Sequence, residues 1–273
     1  MVPTLFHLGD LAIPTHDVFL VLGVGAALLV YAWQVRARGG RDPRLWQIAA
    51  GGLVLGAVFA RVSTSWRYLA AAPDASLAGL WLYGGKSVLG GLAGAYVGVH
   101  LTKRLIGYRE RTGDRFAPAV ALGLAIGRIG CLLTEPIGRP TSLPWGITPD
   151  PAVAAAIPGC TTCTLGVPLH PSFLYEIVFH LVAFVVLVRY GPRLRAAGET
   201  FTLYLLAYGL LRFAVEFTRD STPMAAGLTG SQLFLLVTLP LLLTHVARQW
   251  RRGAYTRGAG SPAPAGAPTP PSG

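Results

Sequence analysis

Charge is scarce in this sequence. Only 13% of its 273 residues are Asp, Glu, Lys or Arg, against 52% hydrophobic residues. That shortage excludes an ordinary soluble domain, where about a quarter of residues are charged. Acidic residues are the scarcer kind, 12 against 23 basic ones, for a formal net charge of +11. The excess does not indicate nucleic acid as a partner, because the basic residues form no soluble patch. They sit in short clusters between apolar runs, where they report topology. Three cysteines are too few for a disulfide framework. The first seventeen residues (MVPTLFHLGDLAIPTHD) lack a basic region ahead of the first apolar run, so a cleavable signal peptide is not expected there.

What is present is a series of apolar runs, with mean hydropathy +0.51. Several approach the ~18–20 residues that span a bilayer. They predict an all-α polytopic membrane protein with about seven transmembrane helices, near residues 17–34, 46–62, 86–102, 116–133, 172–190, 200–217 and 231–248. The second run is the weakest, being short and glycine-rich. Residues 1–16 are expected to lie along the membrane surface, anchored by Leu5 and Phe6. Sixteen of the 23 basic residues fall in one alternate set of loops and five in the other. That asymmetry predicts an outside N-terminus and a cytoplasmic C-terminus. The helical domain is expected over 1–252. Residues 253–273, rich in Pro, Gly and Ala, are expected to be a disordered tail. The long connection from Thr134 to His170 is expected outside, and loops of such length usually carry function.

The polar residues inside or beside these runs carry the functional signal. An Arg at mid-bilayer costs roughly 2.5–3.5 kcal/mol on insertion scales. The stretch GRIGCLLTEPIGR nevertheless brings Arg128, Glu135 and Arg139 to the end of the fourth run. HPSFLYE brings His170, Ser172, Tyr175 and Glu176 to the start of the fifth, the last three at i, i+3 and i+4 on one helical face. RFAVEFTRD brings Arg212, Glu216, Arg219 and Asp220 to the end of the sixth. The topology puts all three stretches at one membrane face. Internal ion pairs and helix caps would explain any one of them. Three together favour an anionic ligand such as a lipid phosphate. Gly90, Gly94 and Gly98, four apart, would let a helix or a lipid tail approach closely. Cys160 and Cys163 (CTTC) in the long loop read first as a bracing disulfide, then as a redox pair, and last as metal ligands with Cys131 and His170. Cys131 itself reads as a small buried residue.

These motifs resemble the bacterial prolipoprotein diacylglyceryl transferases. The family signature is similar to G-R-x-G-N-F-x-N-x-E-x-x-G-R, of which Gly127, Arg128, Gly130, Glu135, Gly138 and Arg139 are kept. HPSFLYE resembles the family's HPSQLYE, and Tyr208–Asp220 its arginine-bearing sixth segment. Two signature asparagines stand here as Cys131 and Thr134. In Ser87–Leu92 the family's histidine, its presumed base, is Leu89, and His16 aligns with a family tyrosine. The resemblance implies transfer of the diacylglyceryl group of phosphatidylglycerol to the lipobox thiol of preprolipoproteins, at the outer face of the bacterial plasma membrane. It implies Arg128 and Arg212 as a phosphate clamp and Glu135 as an orienting carboxylate, with His170 or His16 as a substitute base or the thiolate formed by the local field alone, His170 reading otherwise as a helix-start residue satisfied by backbone. Arg139, Gly90, Gly91, Tyr175, Glu176 and Glu216 would contact substrate. The implied partners are phosphatidylglycerol, preprolipoprotein signal peptides and the lipid bilayer. No cofactor, metal or nucleic acid is expected. A catalytically silent phospholipid-binding paralogue, or a membrane thiol oxidoreductase using Cys160 and Cys163, are the other readings.

Overall fold

Apolar segments of bilayer length must satisfy their own backbone hydrogen bonds, and the helix does so within one segment. The computed structural model describes residues 4–255, except 10, 41, 72–75, 77–78, 80–84, 156–159, 161, 164–165 and 192–197. Most of the expected tail, residues 256–273, lies outside the described residues. All seven expected segments are helical: α1 (Thr15–Ala37), α2 (Arg44–Ala71), α3 (Val88–Leu105), α4 (Gly113–Thr134), then, after the five-residue α5 (Pro151–Ala155), α6 (Ser172–Tyr190), α7 (Glu199–Val215) and α8 (Gly230–Arg251). A 3-10 turn, Glu216–Thr218, extends α7. Six of the seven expected segments, all but α3, are long and apolar enough to cross a membrane. At 18 residues α3 is about 27 Å long.

One expectation gains detail and one needs correction. The segment expected along the membrane surface has regular structure over residues 4–14. They form an antiparallel hairpin, β1 (Thr4–Leu8) and β2 (Leu11–Pro14), with Gly9 at φ +61° between the strands. Leu5 and Phe6 are exposed on it. The second helix is not short. At 28 residues, α2 is the longest helix among the described residues.

Small residues set the tightest helix contacts. Gly90, Gly94 and Gly98 turn toward α2, where a Cβ would collide with Ser63, the Leu55 carbonyl and the Gly51 carbonyl respectively. Gly23 of α1 and Gly123 of α4 meet in the same way, with a Cβ at Gly23 falling 2.7 Å from the Gly123 carbonyl oxygen. Such contacts suit membrane helices, which associate through close packing rather than the hydrophobic effect. At one end of the molecule Tyr31, Val35, Leu45, Ile48 and Tyr108 form a buried cluster. There Tyr31 donates to the Leu45 carbonyl at 2.9 Å and stacks on Phe116. At the same end Asp114 accepts from the backbone N–H groups of Gly198 and Thr200, tying the starts of α4 and α7. Buried Glu199 there accepts from Arg111, Gln249 and Tyr255.

Candidate functional site

The other end of α4 and α7 carries a different arrangement. Arg128 on α4, Glu176 on α6 and Arg212 on α7 are all buried. Arg128 Nη2 lies 2.7 Å from Glu176 Oε2, and the Tyr208 hydroxyl donates to that same oxygen at 2.9 Å. Tyr208 in turn accepts from Arg128 Nη2 at 3.1 Å. Arg212 pairs with Glu216 one turn on, and its Nε is 3.9 Å from Glu176 Oε1. Arg219 completes the cluster. Its Nη1 lies 3.6 Å from Glu176 Oε1, its Nη2 3.6 Å from Glu135 Oε2 and its Nε 3.9 Å from Glu216 Oε2. One buried carboxylate, Glu176, is therefore shared by three guanidiniums.

The floor of this cluster is Phe173, which is fully buried. The Arg219 guanidinium sits 4.3 Å above its ring centroid, and that of Arg128 lies 5.8 Å away. Both distances are within cation–π range. Burial and the neighbouring Arg212 and Arg128 pull Arg219 below the ordinary arginine pKa, although an arginine stays protonated in proteins. Arg219 Nη1 and Glu176 Oε1 meet only as an ion pair at 3.6 Å, and the buried Arg128 Nε has no hydrogen-bond acceptor among the described residues. Buried donors are nearly always paired, so each such exception needs an explanation. Three arginines against the buried Glu176 and Glu216 leave the interior of the cluster with an excess of one positive charge, with Glu135 at its rim.

The loop that follows α4 is stitched to the 3-10 turn by backbone. Arg139 N–H donates to the Thr218 carbonyl at 2.8 Å, and His170 N–H to the Arg139 carbonyl at 2.9 Å. Ser172 adds side-chain bonds to Thr218. Gly138 makes this possible: a Cβ there would stand 2.7 Å from Ser172 Oγ and from the Thr218 carbonyl oxygen. Cys160 and Cys163 form a disulfide, buried with Ile137, Ala154 and Leu169. Between them, Thr162 donates to the Gly138 carbonyl at 3.2 Å.

The structure thus joins Arg128, Glu135, Glu176, Arg212 and Glu216, and leaves other expected residues outside the cluster. Arg139 is exposed. Tyr175 turns away from Glu176 and toward the loop, where its hydroxyl accepts from Trp145 Nε1 at 3.0 Å and lies 3.2 Å from His170 Nδ1. Gly90 and Gly91 face α2 rather than the arginines, with a Cβ at Gly91 only 3.4 Å from that of Ala60. Leu89 packs behind the cluster against Tyr208, Leu235 and Leu239. Sequence reasoning brought Arg219 to this membrane face without giving it a role, and did not single out Tyr208 or Phe173 as site residues. A signal existed for two of them. Tyr208, Arg212, Glu216 and Arg219 recur at three- and four-residue steps, one stripe of one helix. Phe173 carried none.

Comparison with known proteins agrees with this picture. A family model described as prolipoprotein diacylglyceryl transferase matches residues 3–248. A phosphatidylglycerol–prolipoprotein diacylglyceryl transferase of Mycolicibacterium paratuberculosis is 33% identical over 235 residues, covering 80% of this chain and 54% of the relative. One of Mycobacterium leprae is 34% identical over 237 residues, covering 79% and 70%. One of Frankia alni is 32% identical over 229 residues, covering 79% and 57%. The chain spans about half the length of the Mycolicibacterium relative and of a Mycobacterium avium one. With six helices of membrane-crossing character, this multi-pass membrane chain belongs to the prolipoprotein diacylglyceryl transferase family.

Proposed function

We propose that this chain transfers the diacylglyceryl group of phosphatidylglycerol to the lipobox cysteine of preprolipoproteins, at the outer face of the bacterial plasma membrane. The observation that carries this reading is the three-arginine cluster around Glu176, in which Arg128 Nε has no acceptor among the described residues. A phosphate diester leaving as glycerol phosphate gains negative charge, and donors aimed at that charge act strongly where water is excluded. Guanidiniums suit the task because their planar forks bind phosphate oxygens bidentately. Arg128, Arg212 and Arg219 are the clamp. Glu176 and Glu216 hold them in place, and Glu135 orients Arg219 at the rim. Arg139, exposed beside the cluster, is a secondary contact for the arriving anion.

Two features support the outward orientation. The basic residues concentrate in the opposite set of loops. The Cys160–Cys163 disulfide lies on the loop that borders the cluster, and disulfides persist in oxidising compartments. Its burial also favours a brace over a redox centre.

The test is an assay in detergent. Purified protein is given phosphatidylglycerol and a lipobox peptide, and release of glycerol phosphate is followed. Release that requires both substrates supports the reading. Lipid binding without release would mark a silent phospholipid-binding protein instead. In the same assay the double variant Cys160→Ser/Cys163→Ser is expected to keep its transfer activity. Opening so short a loop should lower stability by about 2 kcal/mol, read as a lower unfolding midpoint. Abolished transfer in a folded double variant would instead favour thiol redox chemistry.

A further inference from the structure

Beside the arginine cluster lies a second group of side chains with a different chemistry. His16, in the first turn of α1, and Cys131 and Glu135, at the end of α4, bring a ring nitrogen, a thiol sulfur and a carboxylate oxygen within 4.8 Å of one another. His16 Nε2 is 3.9 Å from Glu135 Oε1. Gly130 creates this proximity, because a Cβ there would fall 2.9 Å from that of Phe19 and 3.3 Å from the His16 Cα. The first turn of α1 can therefore close on the last turn of α4. The other His16 nitrogen, Nδ1, lies 3.2 Å from Asp17 Oδ1, and Asp17 is itself paired with Lys86. Glu135 uses its second oxygen on Arg219. The arrangement is that of a first coordination sphere with its supports already present. A histidine whose far nitrogen meets a carboxylate is how metal-ligating imidazoles are held in one orientation.

We propose that His16, Cys131 and Glu135 bind a zinc ion whose fourth position accepts the thiol of the lipoprotein substrate. This proposal rests on the transferase reading for its role, though not for its ligand set. Three protein ligands drawn from nitrogen, sulfur and oxygen donors, with the fourth position open, follow the pattern of catalytic zinc. Ligands at about 2.0–2.3 Å from a tetrahedral ion stand roughly 3.3–3.6 Å apart. The present spacing closes to that with a shift of about 1 Å by the half-buried His16 and Glu135 side chains. The charge fits as well. A thiolate and a carboxylate neutralise the ion, so Arg128, whose Nη1 lies 3.9 Å from Cys131 Sγ, faces a neutral centre. The site answers a chemical need. Leu89 cannot take a proton, and His170 is engaged with Tyr175. A thiol bound to zinc is deprotonated outright. Its proton passes to solvent. The thiolate then attacks the glyceryl carbon bound to phosphate, forming the carbon–sulfur bond as the carbon–oxygen bond breaks. The electron pair leaves on the glycerol phosphate oxygen, among the arginines. The metal is unchanged.

The experiment uses the full chain in detergent, stripped with a chelating resin and titrated with Co2+ as a spectroscopic stand-in for Zn2+. The expected result is one ion per chain, with the visible bands of tetrahedral cobalt and a near-ultraviolet thiolate-to-cobalt band. That band can come only from Cys131, because the other two cysteines are joined to each other. Cys131→Ser should abolish it. His16→Gln should weaken Zn2+ binding at least tenfold, and Asp17→Asn by about 10–100-fold. A lipobox peptide should intensify the thiolate band, whereas the same peptide with serine for cysteine should not. The wild-type spectrum keeps the test valid even where a variant fails to fold. Failure of the stripped protein to take up one ion, or uptake without the thiolate band, overturns the site. Undiminished transfer by metal-free protein overturns its role. Cobalt bound through Cys131 in a protein that transfers nothing from phosphatidylglycerol would keep the site and sink the transferase reading instead.

Discussion

Arg128→Ala is expected to lower glycerol phosphate release from phosphatidylglycerol at least about 10³-fold. Removing one preorganised donor from an oxyanion site costs about 10²–10³ in rate, and a guanidinium at a transferring phosphoryl group up to 10⁵. Arg128 is anchored along one edge by Glu176 and Tyr208, while its Nε has no acceptor among the described residues. That split is what a donor poised for an incoming oxygen requires. Because the contact strengthens as the leaving group gains charge, kcat and kcat/KM should fall together, with KM little changed. Arg128→Lys should recover only part of the rate, since an ammonium is a point charge without the fork. Tyr208→Phe, which removes one anchoring hydroxyl, should have a much smaller effect. Elution volume and helical circular dichroism would establish that each variant is folded. A folded Arg128→Ala protein within tenfold of the parent rate would sink the clamp.

Glu176→Ala is expected to destabilise the protein by about 3–5 kcal/mol, the typical effect of removing one partner from a buried ion pair. Glu176 faces Arg128, Arg212 and Arg219 within 3.9 Å. Without it, Arg212 and Arg219 retain Glu216, and Arg128 keeps no acidic partner among the ion pairs described here. Unfolding in detergent followed by denaturant would measure the loss. Glu176→Gln should lose somewhat less, because the amide can still accept from Tyr208. Glu216→Gln should also lose less, since Glu176 continues to neutralise the cluster. A loss below about 1 kcal/mol for Glu176→Ala would mean that water, not this carboxylate, balances the arginines.

Much of this fold was legible because a membrane segment declares itself by length and apolarity. The far end of α2 was not. Arg61, Ser63, Thr64 and Ser65 interrupt the hydropathy and suggest a boundary. The hydroxyls of Thr64 and Ser65 instead bond back to the Arg61 carbonyl at 3.0 Å, so polar residues continue the helix without leaving it. The hairpin before α1 was hidden because its strands are four and five residues long, and a single glycine marks the turn. In the candidate site, the convergence of three polar stretches could be read from topology alone. Which groups would touch could not. Tyr175 and Glu176 are neighbours in sequence, yet one meets Trp145 and the other three arginines. That divergence depends on how α6 is rotated, which side-chain spacing does not fix. Gly90 and Gly91 mark a close approach in either reading, and only the structure tells that the approaching group is α2.

The glycine contacts described above also divide the molecule mechanically. Where α2 meets α3, and α1 meets α4, backbone touches backbone at Gly51, Gly98, Gly23 and Gly123. Such backbone contacts have no rotamers to rearrange, although Phe59 and Ser63 also line the α2–α3 seam, and each pair is the stiffer part of the molecule. Compliance is left to the seams lined by long side chains, such as Leu89, Leu235 and Leu239 around Tyr208. Any yielding directly behind the arginines therefore falls to those leucines, whose rotamers can change, while both helix pairs keep their shape.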